Sequence, residues 1–221
     1  VIVAKSSLLS PELRASTRSR VEPIAALFGR VGLTPNALTV IGLVIAVIAA
    51  VAAANQAWFV AGLLVIIGAV FDLFDGALAR ATGTTSKFGA FLDSTLDRAG
   101  EAVVYVGIVA GAIAAAASGV ALLSAAAMAT SFMVSYTRAK SESLGFASGS
   151  GMANVGLAPR EVRIAILTVG LLLAGGGPIA IRIAPNEACA DLCVTFSGVA
   201  FITSLALITL LATITTIQRI L

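Results

Sequence analysis

The sequence predicts an all-α integral membrane protein: six transmembrane helices preceded by an N-terminal amphipathic helix at the membrane interface. Three observations predict it. Of the 221 residues, 59% are hydrophobic and only 11% charged, a balance far from that of a soluble domain of this length. Apolar runs of the roughly 17 to 25 residues that a helix needs to cross a bilayer recur along the chain. The 14 lysines and arginines also fall on alternate connections, the bias that marks the cytoplasmic side of short loops.

Residues 1–33 form the N-terminal segment. Ser10 and Pro11 read as an N-cap and first helical position, followed by Leu13, Val21, Ile24, Leu27 and Phe28 interleaved with Arg14, Arg18, Arg20 and Arg30. Such a helix lies along the interface, although its periodicity is imperfect and an ordinary charged leader is the plainer reading. Residues 34–221 form one six-helix domain. Its spans are expected at Pro35–Ala54, Ala57–Ala81, Phe88–Ala117, Val120–Ser143, Arg160–Ile183 and Leu192–Arg219. Turn and cap residues separate them: Asn55 and Gln56, Thr82 to Ser86, Ser118 and Gly119, Gly145 to Gly156, and Pro185 to Asp191.

Placing the N-terminus in the cytoplasm puts every basic residue except Arg182 on that side. The net charge of +3 is then a topology signal and a mild attraction to anionic lipid, with no nucleic-acid partner implied. Cys189 and Cys193 sit in or beside an outer loop; a disulfide there is open, and two ordinary residues near a helix start are the simpler reading. The chain has no histidine, which excludes His-based general bases, phosphohistidine intermediates and His-ligated metals.

The acidic residues are concentrated where they cost most. Asp72 and Asp75 share a stripe about 100° wide with Gly76 and Ala79, and Gly89, Asp93 and Asp97 share the face of the next helix with Gly100 behind them. The short Thr82 to Ser86 turn should make the two helices antiparallel neighbours whose polar faces meet. Each aspartate in mid-membrane costs roughly 2.5 to 3.5 kcal/mol on insertion scales, and ionised neighbours repel besides. At about 1.5 Å per residue, Asp72 lies some 22 Å along its helix, in the cytoplasmic third of the bilayer. Bound cations or protonation would relieve the cluster; oxygen-only ligation suits Mg2+ or Mn2+, and four carboxylates can hold two such ions and clamp phosphoryl oxygens. Gly76, Ala79 and Gly89 leave room for a ligand beside the carboxylates, or serve close helix packing.

The run Asp72-x2-Asp75-Gly76-x2-Ala79-Arg80-x8-Gly89-x3-Asp93-x3-Asp97 resembles, with no position departing, the signature of the CDP-alcohol phosphotransferases, membrane enzymes with six transmembrane helices. The resemblance implies that Asp72, Asp75 and Asp93 ligate two divalent metals, Mg2+ with Mn2+ as the alternative, and that Asp97 is the catalytic proton acceptor while also touching a metal. It implies a cradle for the cytidine diphosphate at Gly76, Ala79, Arg80, Ser86 and Gly89, though Arg80 also suits a helix end near the headgroups and Ser86 an N-cap. The segment TPNALTVIGL resembles the family's first span. Thr34 caps it and Pro35 opens it, which should leave free amides near Asn36, Ala37 and Leu38 for the nucleotide, or be only a well-made helix start. A homodimer is implied by the resemblance alone.

The acceptor must be read outside the signature. Arg138, Lys140, Arg160 and Arg163 gather at one membrane face, in SYTRAKSE and APREVR, and a cationic group beside an anionic metal site suits an acceptor bearing its own phosphate; helix-end positive charges are the plainer alternative. These segments and the closing IQRI resemble the actinobacterial phosphatidylinositol-phosphate synthases, which implies CDP-diacylglycerol and inositol 1-phosphate as substrates, with Ser135, Lys140, Arg160 and Arg138 at the acceptor pocket. Glycerol 3-phosphate is the alternative acceptor. A cation or proton transporter is the alternative of another class, since intramembrane carboxylates mark ion paths; it would need broken helices, for which Gly175 to Pro178 in the fifth span is the one candidate.

Overall fold

The computed structural model describes residues 27–30, 32–145, 156–183 and 187–220. Residues 10–26 of the expected interfacial helix, the interior of the glycine and serine hinge, and the side chains of Cys189 and Cys193 lie outside the described residues; residues 27–30 are helical, with Phe28 packed on Phe71 and Phe74. Six long helices follow one another: α1 Pro35–Ala54, α2 Trp58–Ala81, α3 Lys87–Ala114, α4 Ser118–Ser143, α5 Arg160–Ile183 and α6 Glu187–Ile220. Among the described residues there is no strand.

Local chemistry sets the ends. The Thr34 hydroxyl accepts from the Ala37 amide at 3.2 Å and Pro35 opens the first turn of α1. At the far end Gln56 turns the chain with a φ of 62°, and its amide and that of Ala57 close onto Ala53 and Ala52. Thr82 ends α2 by donating to the Leu78 carbonyl, Gly83 takes a φ of 65°, and Ser86 caps α3 by accepting from the Gly89 amide at 2.9 Å. The next turn differs from expectation. Ala116, with a φ of 55°, makes the reversal, so α3 stops at Ala114 and Ser118 and Gly119 belong to the first turn of α4. The last helix likewise begins at Glu187, five residues before the expected Leu192, taking most of the supposed hinge into its first turns.

The α5 helix runs unbroken through Gly175 to Gly177 and on to Ile183. The glycine is there for packing: a Cβ on Gly175 would collide with the backbone of Phe59 at the start of α2. Gly107 and Gly111 do the same for α3, where a Cβ would strike the carbonyls of Ala50 and Ala53 on α1.

The closely packed pairs close a ring in the order α1, α2, α5, α6, α4, α3 and back to α1. Ala49, Ala53, Ala61, Tyr105, Ile108, Ala127, Leu167, Leu171, Leu205 and Ile208 fill it with side chains from all six helices. Outside, Val44, Val47, Val51, Leu63, Ile66, Val70 and Leu73 are exposed, an apolar exterior suited to lipid. Among the described residues, four helical stretches are long and apolar enough to cross a bilayer: Pro35–Ala54, Trp58–Ala81, Ser118–Ser143 and Thr195–Ile220.

One expectation about neighbours is corrected by the ring. The α2 and α3 helices are joined by a short turn, yet each packs on α1 and they are not a closely packed pair. With Leu38 of α1 buried against Ala77 and Leu78 of α2, and the α3 glycines seated on α1, the first helix acts as a wedge. The two helices diverge around it, yet their aspartates still come together, with Asp72 and Asp97 sharing the Arg160 guanidinium.

Candidate active site

The gap opened by that wedge is a cavity of about 370 Å³ lined by Thr34, Pro35, Asn36, Thr39, Asp75, Gly76, Ala79, Arg80, Thr84, Thr85, Ser86, Gly89, Ala90 and Asp93. Pro35, Asn36, Gly76, Ala79, Arg80, Ser86 and Gly89, read from the sequence as a nucleotide cradle, therefore face one space. The glycines keep it open. A Cβ on Gly76 would come within 3.2 Å of the Arg80 guanidinium, and one on Gly89 would lie 3.1 Å from the Ser86 hydroxyl and 3.5 Å from Asn36 Oδ1.

Two backbone donors expected to be free are already engaged. The Ala37 and Leu38 amides are not free, because both donate to Thr34, the first to its hydroxyl and carbonyl and the second to its carbonyl. Leu38 is also fully buried. A helix start capped by a threonine cannot offer those same amides to a ligand. In their place stands Thr39, whose hydroxyl donates to Asp75 Oδ2 at 2.8 Å. Its position one turn after Pro35 on the same face was the available signal.

Asp75 and Asp93 line the cavity, whereas Asp72 and Asp97 meet deeper, beside α5. Arg160 in the first turn of α5 reaches both: Nη2 lies 2.7 Å from Asp72 Oδ2 and Nη1 lies 2.7 Å from Asp97 Oδ2. Its Nε is buried without a hydrogen bond among the described residues. Gly42 of α1 makes room, since a Cβ there would stand 3.1 Å from Asp72 Oδ1. Arg98 adds a looser contact to Asp97 at 3.4 Å. A second cavity of about 60 Å³ begins at Thr39, Asp72, Asp97 and Arg160 and continues between apolar side chains such as Leu64, Val104 and Leu167. Thr39 borders both spaces.

The four carboxylates are near enough for charge to act among them: Asp75 with Asp72 and Asp93, and Asp97 with Asp72 and Asp93. Among the described residues no three of them converge as ligands of one ion; a guanidinium stands between Asp72 and Asp97. The donor set itself is carboxylate oxygen with no sulfur or imidazole, which fits a hard divalent cation.

The expected acceptor residues divide. Arg160 is at the carboxylates. Arg163 is buried, with Nε and Nη2 on the two oxygens of Glu101 at 3.1 and 3.0 Å and Nη1 on the Ala158 carbonyl at 3.0 Å. This corrects its expected role, since all three of those nitrogens are already bonded and the side chain is only 1% exposed. On α4, Arg138 pairs with Glu142 one turn along at 2.9 Å, Lys140 is exposed, and the Ser135 hydroxyl donates to its own helix at Ser131. The charges of Arg138 and Arg163 both act on Arg219 at the end of α6, so the basic residues of three helices share one end of the bundle. Arg219, in the closing IQRI segment, was given no role from the sequence; it donates to the Val134 carbonyl at 2.6 Å, tying α6 to α4.

Oxygen-only carboxylates beside a hydroxyl-rich cavity in a helical membrane fold suit the charge neutralisation that phosphoryl transfer demands. The chain belongs to the CDP-alcohol phosphatidyltransferase family, whose profile matches residues 32–218. It is 38% identical over 161 residues to an archaetidylinositol phosphate synthase of Pyrococcus horikoshii, covering 73% of this chain and 81% of that protein. It is 34% identical over 173 residues to a phosphatidylinositol phosphate synthase of Mycobacteroides abscessus, covering 77% and 75%. The fold is similar to crystal structures of the Mycobacterium tuberculosis phosphatidylinositol phosphate synthase. The form with CDP-DAG bound gives a TM-score of 0.72 at 27% identity, covering 90% of this chain and 91% of that one. The complex with manganese and citrate gives 0.72 over 90% and 87%.

Proposed function

We propose that this protein transfers the phosphatidyl group of CDP-diacylglycerol to inositol 1-phosphate, releasing CMP and forming phosphatidylinositol phosphate. One observation carries the reading: the carboxylates stand between a hydroxyl-lined cavity on one side and the Arg160 guanidinium on the other. That is a donor side and an acceptor side meeting at one charged centre.

In this reading Gly76, Ala79, Arg80, Ser86, Gly89, Pro35 and Asn36 seat the cytidine diphosphate, with Arg80 pairing its phosphates. Asp72, Asp75, Asp93 and Asp97 hold two divalent ions, Mg2+ or Mn2+. When bound, these ions supply charge neutralisation on the phosphoryl oxygens. Thr39 fixes the rotamer of Asp75 through its hydrogen bond. Arg160 exchanges a carboxylate oxygen for the acceptor's phosphate, with Ser135, Arg138 and Lys140 nearby at the same end of the bundle. Asp97 takes the proton of the acceptor hydroxyl; that oxygen bonds to the lipid-linked phosphorus while the bond to the CMP oxygen breaks.

All six helices cross the membrane, with the N-terminus and the site on the cytoplasmic side. Support comes from the alternating helices, which bring the starts of α1, α3 and α5 and the ends of α2, α4 and α6 to one face, and from the charge placement along the sequence. A homodimer is proposed on the family resemblance. Cysteines introduced at Thr84 and at Gln56 should react with an impermeant thiol reagent from opposite sides of sealed vesicles.

The direct test is CMP release by the purified protein with CDP-diacylglycerol, Mg2+ and one acceptor at a time. Release is expected with inositol 1-phosphate. Release with glycerol 3-phosphate alone would move the reading to phosphatidylglycerol phosphate synthesis, and failure to release CMP with any acceptor would return the carboxylates to ion transport. The relatives' names share the inositol phosphate headgroup and differ in the lipid, phosphatidyl against archaetidyl. A parallel reaction with an ether-linked CDP-lipid therefore measures the lipid preference.

A further inference from the structure

Asp97 and Glu101 lie one turn apart on α3, and Arg160 and Arg163 lie one turn apart on α5. The pairs Asp97–Arg160 and Glu101–Arg163 therefore stack as two rungs between these helices. The helices they join face each other across the ring and are not among its closely packed pairs, and long charged side chains span the space between them above the shared apolar core. The two rungs differ. In the outer one the side chains are 25% and 11% exposed and Arg160 divides its nitrogens between two aspartates. The inner one is 1% and 5% exposed, with two parallel bonds between one guanidinium and one carboxylate.

A buried pair of this kind contributes little net stability over apolar residues of the same size. Its distinctive property is direction, because a two-bond guanidinium–carboxylate fork fixes distance and rotation together. Arg163 extends the constraint through the Ala158 carbonyl, and the Ala158 amide donates to Thr215 of α6 at 3.0 Å. The first turn of α5 is thus pinned to α3 and α6 immediately beside Arg160.

We propose that Glu101 and Arg163 are positioning residues that aim the Arg160 guanidinium at the acceptor phosphate, an inference that rests on the reading of Arg160 given above. Glu101 borders the smaller cavity beside Arg160, Arg163 is enclosed behind it, and the pair acts through Arg160.

The test is a mutant cycle read as KM for inositol 1-phosphate. Changing both partners, Glu101→Met with Arg163→Met, removes both buried charges while keeping volume. This double variant should raise the acceptor KM about tenfold or more, while the KM for CDP-diacylglycerol stays within about twofold, as expected for loss of aim at one subsite. Arg160→Ala should raise the acceptor KM by at least as much, and adding the double change to it should raise it no further. Additive effects, or a wild-type acceptor KM in the double variant, would overturn the proposal. An unchanged acceptor KM in Arg160→Ala would instead remove the reading of Arg160 on which it stands. If the double variant does not fold, Arg163→Lys, which keeps the charge and loses the fork, should give a smaller rise in acceptor KM with the same dependence on Arg160.

Discussion

The two sides of the site are built from different materials. Toward the α1–α2–α3 cavity the walls are mostly hydroxyls and small residues, with Asn36 and the cation Arg80, and of the carboxylates there Asp75 is held by the neutral Thr39. Toward α5 the walls are charges already joined to one another, Arg160 to Asp72 and Asp97, and Glu101 to Arg163. The contrast teaches where each kind of recognition is made. A cavity shaped by missing side chains accepts a large ligand with little rearrangement, while a paired guanidinium must trade one anion for another.

The largest effects should come from the charged side. Removing divalent ions with EDTA should abolish CMP release, and Mg2+ or Mn2+ should restore it. Asp97→Asn should reduce turnover by about 10²- to 10⁴-fold, as for loss of a general base, while isothermal titration still detects Mg2+ binding. Turnover at the wild-type rate in that variant would end its assignment as the base.

Next comes the cavity. Gly89→Leu should fill the space between Ser86 and Asn36 and raise the KM for CDP-diacylglycerol by about tenfold or more, leaving the acceptor KM unchanged, because remote binding contacts act on their own subsite. Equal rises in both constants would mean that the two sides are not separate.

Thr39 borders both spaces, so Thr39→Val tests the wall between them. A hydrogen bond to a charged group is worth about 1.5 to 3 kcal/mol, so kcat/KM should fall roughly tenfold to a hundredfold, with Thr39→Ser restoring most of it. The smallest effect belongs to the exposed pair on α4. Glu142→Ala should shift stability by less than about 1 kcal/mol, seen as a small change in thermal unfolding in detergent.

Much of the fold was legible from order and composition. The start of α1, the end of α2 and the limits of α5 fall where the apolar runs and the Thr34–Pro35 cap placed them, since a helix that satisfies its own backbone in lipid needs little from its neighbours. Turns without glycine or proline were harder. Nothing in a run of alanines marks Ala116 as the residue that adopts a left-handed conformation, so the α3–α4 boundary was displaced. That Gly76, Ala79 and Asp75 line one cavity was legible because spacing places them on one helix face, whereas the Ala37 and Leu38 amides, expected to be free, serve the cap.

By itself the sequence determined the helices, the polar stripe on α2 and α3, and the chemistry those oxygen donors permit, because each depends on residues within a few turns of one another. Only the tertiary structure decided that α1 separates the two aspartate helices, that Thr39 meets Asp75, and that of two arginines one turn apart Arg160 reaches Asp72 and Asp97 while Arg163 is enclosed with Glu101. Those outcomes turn on which helices neighbour which across the ring, and a guanidinium's partner is set by the distance and rotation of a helix more than 60 positions away in the chain.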